Sequence, residues 1–148
     1  PRQSARAVIP TIITQLLNGK RELKLGSLTP TRDFNYVADT CRGFMALSTC
    51  AAAIGQTVNI GSGGEISIGD TAAMIAKIIG ADVNIAQENE RLRPPTSEVE
   101  RLCCDNSLMK KLTGLSPQHS LEDGLKRTIE WFKNPAHLAQ YKADQFNV

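Results

Sequence analysis

One run of residues, 29–47, constrains this chain more than any other: TPTRDFNYVADTCRGFMAL. It opens with Thr29-Pro30-Thr31, a loop signal. Phe34, Tyr36 and Val37 then favour extended backbone, which predicts a strand over residues 32–37. At Asp39 or just before it the pattern changes period. Cys41, Phe44, Met45 and Ser48 recur at helical spacing, and Asp39 stands where a carboxylate suits a helix N-terminus. Arg32 stands at the mouth of the strand. An arginine anchored there can offer two parallel donors to a phosphate. The same residue can equally be a surface arginine paired with Asp33 or with water.

The rest of the chain supplies helices and strands in alternation. Residues 7–18 carry Val8, Ile9, Ile12, Ile13, Leu16 and Leu17 on one broad apolar stripe, and Gly19 stops it. Pro10 is tolerable there only in the first turn. Residues 22–26 (ELKLG) form a short strand candidate, with Lys24 suited to an edge. Residues 51–55 end a helix on Gly55, and 57–60 read as a short buried strand. Gly61-Ser62-Gly63-Gly64 follows. Such a run could cradle phosphate, but it lacks the spacing of a dinucleotide fingerprint and reads as a turn.

Residues 67–79 give the clearest helix, capped by Ser67 with Asp70 and stopped by Gly80. Residues 82–86 alternate like a strand. Residues 87–100 are polar, contain Pro94-Pro95 and read as a loop bearing Arg91 and Arg93. Two arginines on a loop could clamp an anion, or pair with Glu88, Glu90, Glu98 and Glu100. Asp105 caps a helix reaching Leu112, and Ser120 with Asp123 caps another that carries Leu121, Leu125, Ile129 and Phe132. Asn134-Pro135 breaks it, so residues 1–134 form the folded part and 135–148 a polar tail with few anchors, expected to be mobile in isolation unless it packs on a neighbouring surface.

At 148 residues the chain can bury one core, and 17 basic against 15 acidic residues give no case for a nucleic-acid partner. No apolar run approaches the ~20 residues of a membrane span, so no membrane partner and a cytoplasmic location are expected. Cys41, Cys50, Cys103 and Cys104 lack metal-ligand spacing and read as reduced structural thiols, with no metal site expected. His119 and His137 read as surface histidines without a catalytic role.

The run RDFNYVADTCRGFMAL resembles a stretch of the extended short-chain dehydrogenases/reductases, in particular the NAD-dependent nucleotide-sugar epimerases and 4,6-dehydratases. The likeness continues in Pro1-Arg2-Gln3 with Val8-Ile9-Pro10, Val58-Asn59-Ile60-Gly61, Arg93-Pro94 with Glu98-Val99, and Trp131-Phe132. It implies an α/β fold: the C-terminal part of a Rossmann-type enzyme, its last sheet strands plus a small substrate-binding lobe. It implies that Arg32, Arg93 and Asn59 meet the diphosphate of a nucleotide sugar, with Arg91 able to share the duty. Val8 and Leu23 would lie against the base, and Glu98 on ribose. A UDP-sugar of the N-acetylhexosamine type is the implied substrate.

The family's G-x-x-G-x-x-G turn and Tyr-x-x-x-Lys pair are not found. Tyr36 is followed at i+4 by Thr40, and Tyr141 by Gln145. NAD is therefore expected in a full-length parent and not on this chain alone, which is expected to be inactive by itself and to contribute no catalytic residue. A different outcome is a non-catalytic fragment whose exposed strand edges make it self-associate. A homodimer is expected either way.

Overall fold

The computed structural model describes residues 2–4, 6–88 and 99–141. These fall into two compact units. The first comprises Pro1–Pro30, Ser67–Glu100 and Leu125–Val148, the second Thr31–Ile66 and Arg101–Gly124.

The first unit is built on two apolar helices, α1 (Val8–Leu17) and α3 (Ile68–Ile79), which pack together. In α1, Pro10 falls within the first turn, where its missing N–H costs no helical bond. The buried stripe of α1 is wider than hydrophobicity alone suggests, because Thr14 and Gln15 are buried with Ile12, Ile13 and Leu16. Thr14 Oγ1 donates to the carbonyl of Pro10 at 2.8 Å. α3 begins and ends as its sequence dictates. The Ser67 hydroxyl accepts from the amide of Asp70 at 2.9 Å, and Gly80 closes the helix at φ 77°, a left-handed conformation that glycine adopts without strain.

Strand β1 (Glu22–Leu25) pairs in parallel with β4 (Asn84–Gln87), with Leu23 opposite Ile85. Leu23 and Leu25 point into the core while Glu22 and Lys24 stay exposed, the alternation of a strand buried on one face. The side chain of Gln15 behaves like a further strand here: its Oε1 accepts from the amide of Lys24 at 3.1 Å and its Nε2 donates to the Lys24 carbonyl at 3.4 Å. Ile12, Ile13, Leu23, Ile75, Ile129 and Phe132 are fully buried, each contributing roughly 1.5–3 kcal/mol of transfer free energy.

The tail has more anchors than its composition suggests. Helix α5 (Leu121–Phe132) is followed by a short helix, α6 (Pro135–Leu138), capped by Asn134. The His137 ring stacks on Trp131 at 4.1 Å and 10°, and Tyr141 packs edge-on against Phe132 at 4.8 Å. Tyr141 also donates its hydroxyl to the carbonyl of Gln3 at 2.8 Å. His137 is thus a packed residue rather than a free surface one. Residues 142–148 lie outside the described residues.

The second unit departs further from expectation. Strand β2 is only Thr31–Arg32, not residues 32–37, and it runs parallel to β5 (Arg101–Leu102). Its sheet has the order β3-β2-β5, with β3 formed by Ile66–Ser67. β2 is therefore central, so its edges are already paired. The amide of Asp33 extends the ladder by one bond, to the Leu102 carbonyl at 2.8 Å, and then the chain turns away. Helix α2 (Val37–Ser48) starts two residues before Asp39, and a 3-10 turn (Ala51–Ala53) follows it. Helix α4 (Ser107–Thr113) packs on α2, and the Asp105 carboxylate accepts from the amide of Ser107 at its start, at 3.0 Å. Residues 57–60 join no strand ladder, and Asn59 is exposed.

The apolar-looking face of α2 points outward. Val37, Phe44 and Met45 are 53%, 65% and 71% exposed, Cys41 is exposed, and Ile54 beyond the helix is 83% exposed. The residues α2 buries are Asp39 and Gly43. Gly43 is needed for close approach: a Cβ there would stand 2.8 Å from Cγ2 of Ile60. Among the described residues, no helix is long and apolar enough to cross a membrane.

Candidate functional site

Each residue that the sequence singles out belongs to one unit or the other. In the first unit, Val8 opens α1 and is half-buried, whereas Leu23 is fully buried in β1. The side chains that β1 presents outward are Glu22 and Lys24. Arg91, Arg93 and Glu98 lie outside the described residues.

In the second unit, Arg32 is the last residue of β2, half-buried, and its Nη1 donates to the carbonyl of Thr31 at 2.8 Å. The carboxylate next to it in sequence, Asp33, is engaged mainly with backbone. The Asp33 Oδ1 accepts from the amide of Ser62 at 3.1 Å and from its hydroxyl at 2.5 Å. The Oδ2 accepts from the amides of Gly63 at 2.9 Å and Cys104 at 3.3 Å. From the other side, Asn106 Nδ2 donates to the Gly61 carbonyl at 2.9 Å. Gly61 is the close-approach glycine of this knot, since a Cβ there would collide with Cβ and Sγ of Cys104. Burial and the neighbouring Asp33 charge hold the Cys104 thiol above its ordinary pKa, which favours the protonated form.

This geometry decides what the glycine run can do. A phosphate cradle needs backbone N–H groups aimed at open space. The amides of Ser62 and Gly63 are aimed instead at the Asp33 carboxylate of the same chain, which already takes them up. The turn therefore does not fit NAD. Neighbouring it, Glu65 takes Arg101 in a two-pronged pair, with Nη2 to Oε1 at 2.7 Å and Nε to Oε2 at 2.9 Å, and accepts the Thr31 hydroxyl at 2.7 Å. These contacts, Arg101 first, draw the Glu65 pKa down.

The second polar knot is centred on Asp39, which is 6% exposed. Its Oδ1 accepts from the amide of Gln118 at 3.0 Å and from Arg42 Nη1 at 2.9 Å. Its Oδ2 accepts from the amide of His119 at 3.0 Å and lies 3.1 Å from Nδ1 of the same ring. A carboxylate only accepts, so Nδ1 carries the proton. Burial by itself pushes the Asp39 pKa up, but these hydrogen bonds together outweigh it, and the pKa lies below its ordinary value. The His119 ring also packs on Tyr36 at 4.8 Å, and its Nε2 stands 3.9 Å from Asp123. His119 is thus no surface histidine; it is the clasp partner of a buried carboxylate. Asp39, Arg42, Asn35 and Gly43 line a small cleft with Ile60 and Met109. Among the described residues, no group of three or more His, Cys, Asp or Glu is placed to hold a metal ion.

No sequence signal marks Asp33 as the centre of a polar knot, Glu65 as the partner of Arg101 or His119 as the partner of Asp39. Asp33 stands next to Arg32, but its partners are 29 to 71 residues away, so no local spacing announces them.

A family model described as GDP-mannose 4,6 dehydratase matches residues 1–128. The dTDP-glucose 4,6-dehydratase of Streptomyces griseus is 30% identical over 132 residues, which cover 89% of this chain and 39% of that protein. Among solved structures, the epimerase Mth375 from Methanothermobacter thermautotrophicus superposes with a TM-score of 0.80 at 29% identity, covering 90% of this chain and 39% of that one. The UDP-glucuronic acid 4-epimerase from Bacillus cereus, solved with UDP-glucuronic acid and NAD, gives a TM-score of 0.77 at 32% identity, covering 95% and 42%. This chain therefore spans about two fifths of the length of these relatives. The sheet-and-helix units correspond to part of a Rossmann-type α/β enzyme. With the family model matched over 128 of its 148 residues, this chain belongs to the GDP-mannose 4,6-dehydratase family of extended short-chain dehydrogenases/reductases, the nucleotide-sugar epimerases and dehydratases.

Proposed function

We propose that this chain is the nucleotide-sugar-binding portion of an NAD-dependent nucleotide-sugar 4,6-dehydratase or epimerase, with a UDP-N-acetylhexosamine as substrate, and that it is inactive alone. The observation that carries the reading is the position of Arg32 in a chain of this family. It ends β2, which runs parallel to β5, and ligands of open α/β sheets gather beyond the carboxyl ends of parallel strands. There Arg32 contacts the diphosphate, exchanging its bond to the Thr31 carbonyl for phosphate oxygens. Asn59, exposed before the glycine turn, donates its side-chain amide to the same group.

Arg93, with Arg91, adds positive charge from residues 89–98, and Glu98 accepts from ribose hydroxyls. Val8 and the segment around Leu23 lie against the base. NAD, where the parent enzyme binds it, supplies transient hydride transfer. The glycine turn of this chain is not its site. The cytoplasm is the place of action.

Titration calorimetry with UDP tests the reading. Arg32→Ala is expected to weaken binding by about 1.5–3 kcal/mol, as for a charge-assisted hydrogen bond. Equal affinity in both proteins would reduce Arg32 to a structural arginine.

A second reading, that the chain is a self-associating module without catalysis, is favoured by one observation: the outward face of α2. Val37, Cys41, Phe44, Met45 and Ser48 present no charge, so the same face of a second copy can meet it without like-charge repulsion, as a two-fold contact requires. The contact runs through this helix face and not through β2, whose edges are paired. Light scattering over a dilution series is expected to give a homodimer, and Phe44→Glu with Met45→Glu a monomer. A monomeric wild type at every concentration would remove this reading.

A further inference from the structure

We infer that Asp33 is a positioning residue of the ligand site: it fixes the end of β2, which carries Arg32, to the turn that follows Asn59. The inference rests on the reading of Arg32 and Asn59 as diphosphate ligands and adds to it a residue that does not itself touch phosphate.

Arg32 and Asn59 lie 27 positions apart and on different segments, so neither sets the other's place through the local chain. Asp33 follows Arg32 directly. Its amide continues the β2–β5 ladder to Leu102, so the backbone under Arg32 is held on the sheet. Its carboxylate reaches the other way and collects Ser62 twice, Gly63 and Cys104. The turn residues among them begin three positions after Asn59. Asn106 completes the grip by donating to the Gly61 carbonyl, leaving the turn held through its amides on one side and a carbonyl on the other.

An ordinary turn of four small residues would sample many conformations. Here four donors converge on one carboxylate, and Gly61 is packed so closely that a methyl group would strike both Cys104 and Asp33. A carboxylate beside a proposed phosphate site is unfavourable for binding unless its lone pairs are already engaged. In Asp33 they are, by donors that an asparagine could satisfy only in part.

The test uses the whole chain, with Asp33→Ala and the near-isosteric Asp33→Asn, and Arg32→Ala in parallel. All are measured at a temperature where circular dichroism shows each variant folded. Amide hydrogen exchange, followed by nuclear magnetic resonance without ligand, reads the turn directly. The Ser62 and Gly63 amides are expected to exchange at least about tenfold faster in Asp33→Ala, with Asp33→Asn in between. Binding of UDP is expected to weaken about five- to twentyfold in Asp33→Ala, to recover partly in Asp33→Asn, and binding of uridine to stay as in the wild type. A merely structural residue would weaken both ligands alike, or neither.

Unchanged exchange at Ser62 and Gly63 would overturn the inference, as would wild-type UDP affinity in Asp33→Ala while Arg32→Ala binds weakly. In that last case the phosphate reading survives and only the role of Asp33 falls. A wild-type protein that binds no UDP would overturn the phosphate reading and the positioning role with it, and the exchange rates would then report only whether Asp33 holds the turn.

Discussion

The carboxylate of Asp39 holds His119 at two points, accepting its backbone amide at 3.0 Å and its ring Nδ1 at 3.1 Å across 80 positions of sequence. Arg42 and the Gln118 amide take the other oxygen. One buried side chain thereby ties the first turn of α2 to the segment that leads into α5.

Removing that side chain leaves two backbone amides, a guanidinium and the His119 ring N–H without their acceptor. Asp39→Ala is therefore expected to destabilise the chain by about 3 kcal/mol, near the cost of breaking a buried charged network. Urea unfolding measures it. A loss below about 1 kcal/mol would mean that water replaces the carboxylate at little cost.

The same clasp has a pH signature. The Asp39 pKa is lower in the folded chain than its ordinary value of 3.8, so the folded state binds the proton less readily than the unfolded one. Its stabilisation is full above that ordinary value and is lost as pH falls through the lower folded value. The stability difference between wild type and Asp39→Asn should be largest near neutrality and shrink below pH ~4. A difference that stays constant into strong acid would show that the charge of Asp39 contributes nothing.

Gly43 of α2 sits where a side chain meets Ile60. Gly43→Ala gains about 1 kcal/mol of helix propensity but forces a methyl group to 2.8 Å from Ile60, an overpacking cost of about 1–3 kcal/mol. The net effect is a destabilisation that is smaller, or reversed, in an Ile60→Ala background. A double-mutant cycle by thermal unfolding gives the coupling, and additive effects would place the two side chains out of contact.

Trp131 is the single tryptophan of the chain, and His137 covers its face. His137→Ala should shift its emission to the red, as water reaches the ring, and cost about 0.5–1.5 kcal/mol of stacking. An unchanged emission maximum would show that the stack does not persist in solution.

Much of the first unit was legible because its signals are local. Ser67 and Asp70 announce the start of α3 and Gly80 its end through groups no more than four residues apart. The alternation of Leu23 and Leu25 with charged neighbours announces β1, and the apolar pairs of α1 announce its buried face. Family membership was legible too, because motifs in a fixed order survive in sequence where contacts do not.

The second unit was decided by tertiary structure. Phe34, Tyr36 and Val37 favour a strand, yet β2 ends at Arg32, where Asp33 turns aside to gather amides from residues 62, 63 and 104. The period of α2 marks Phe44 and Met45 as a face, but period alone does not say what the face meets, and these side chains point to solvent while Asp39 and Gly43 are buried. His119 has no distinguishing neighbour in sequence and becomes a clasp only when Asp39 arrives from 80 residues away. Propensity and capping act over one or two turns of chain. Which donor meets which carboxylate depends on the packing of segments far apart in sequence, and that alone made Asp33 and Asp39 the centres of this unit.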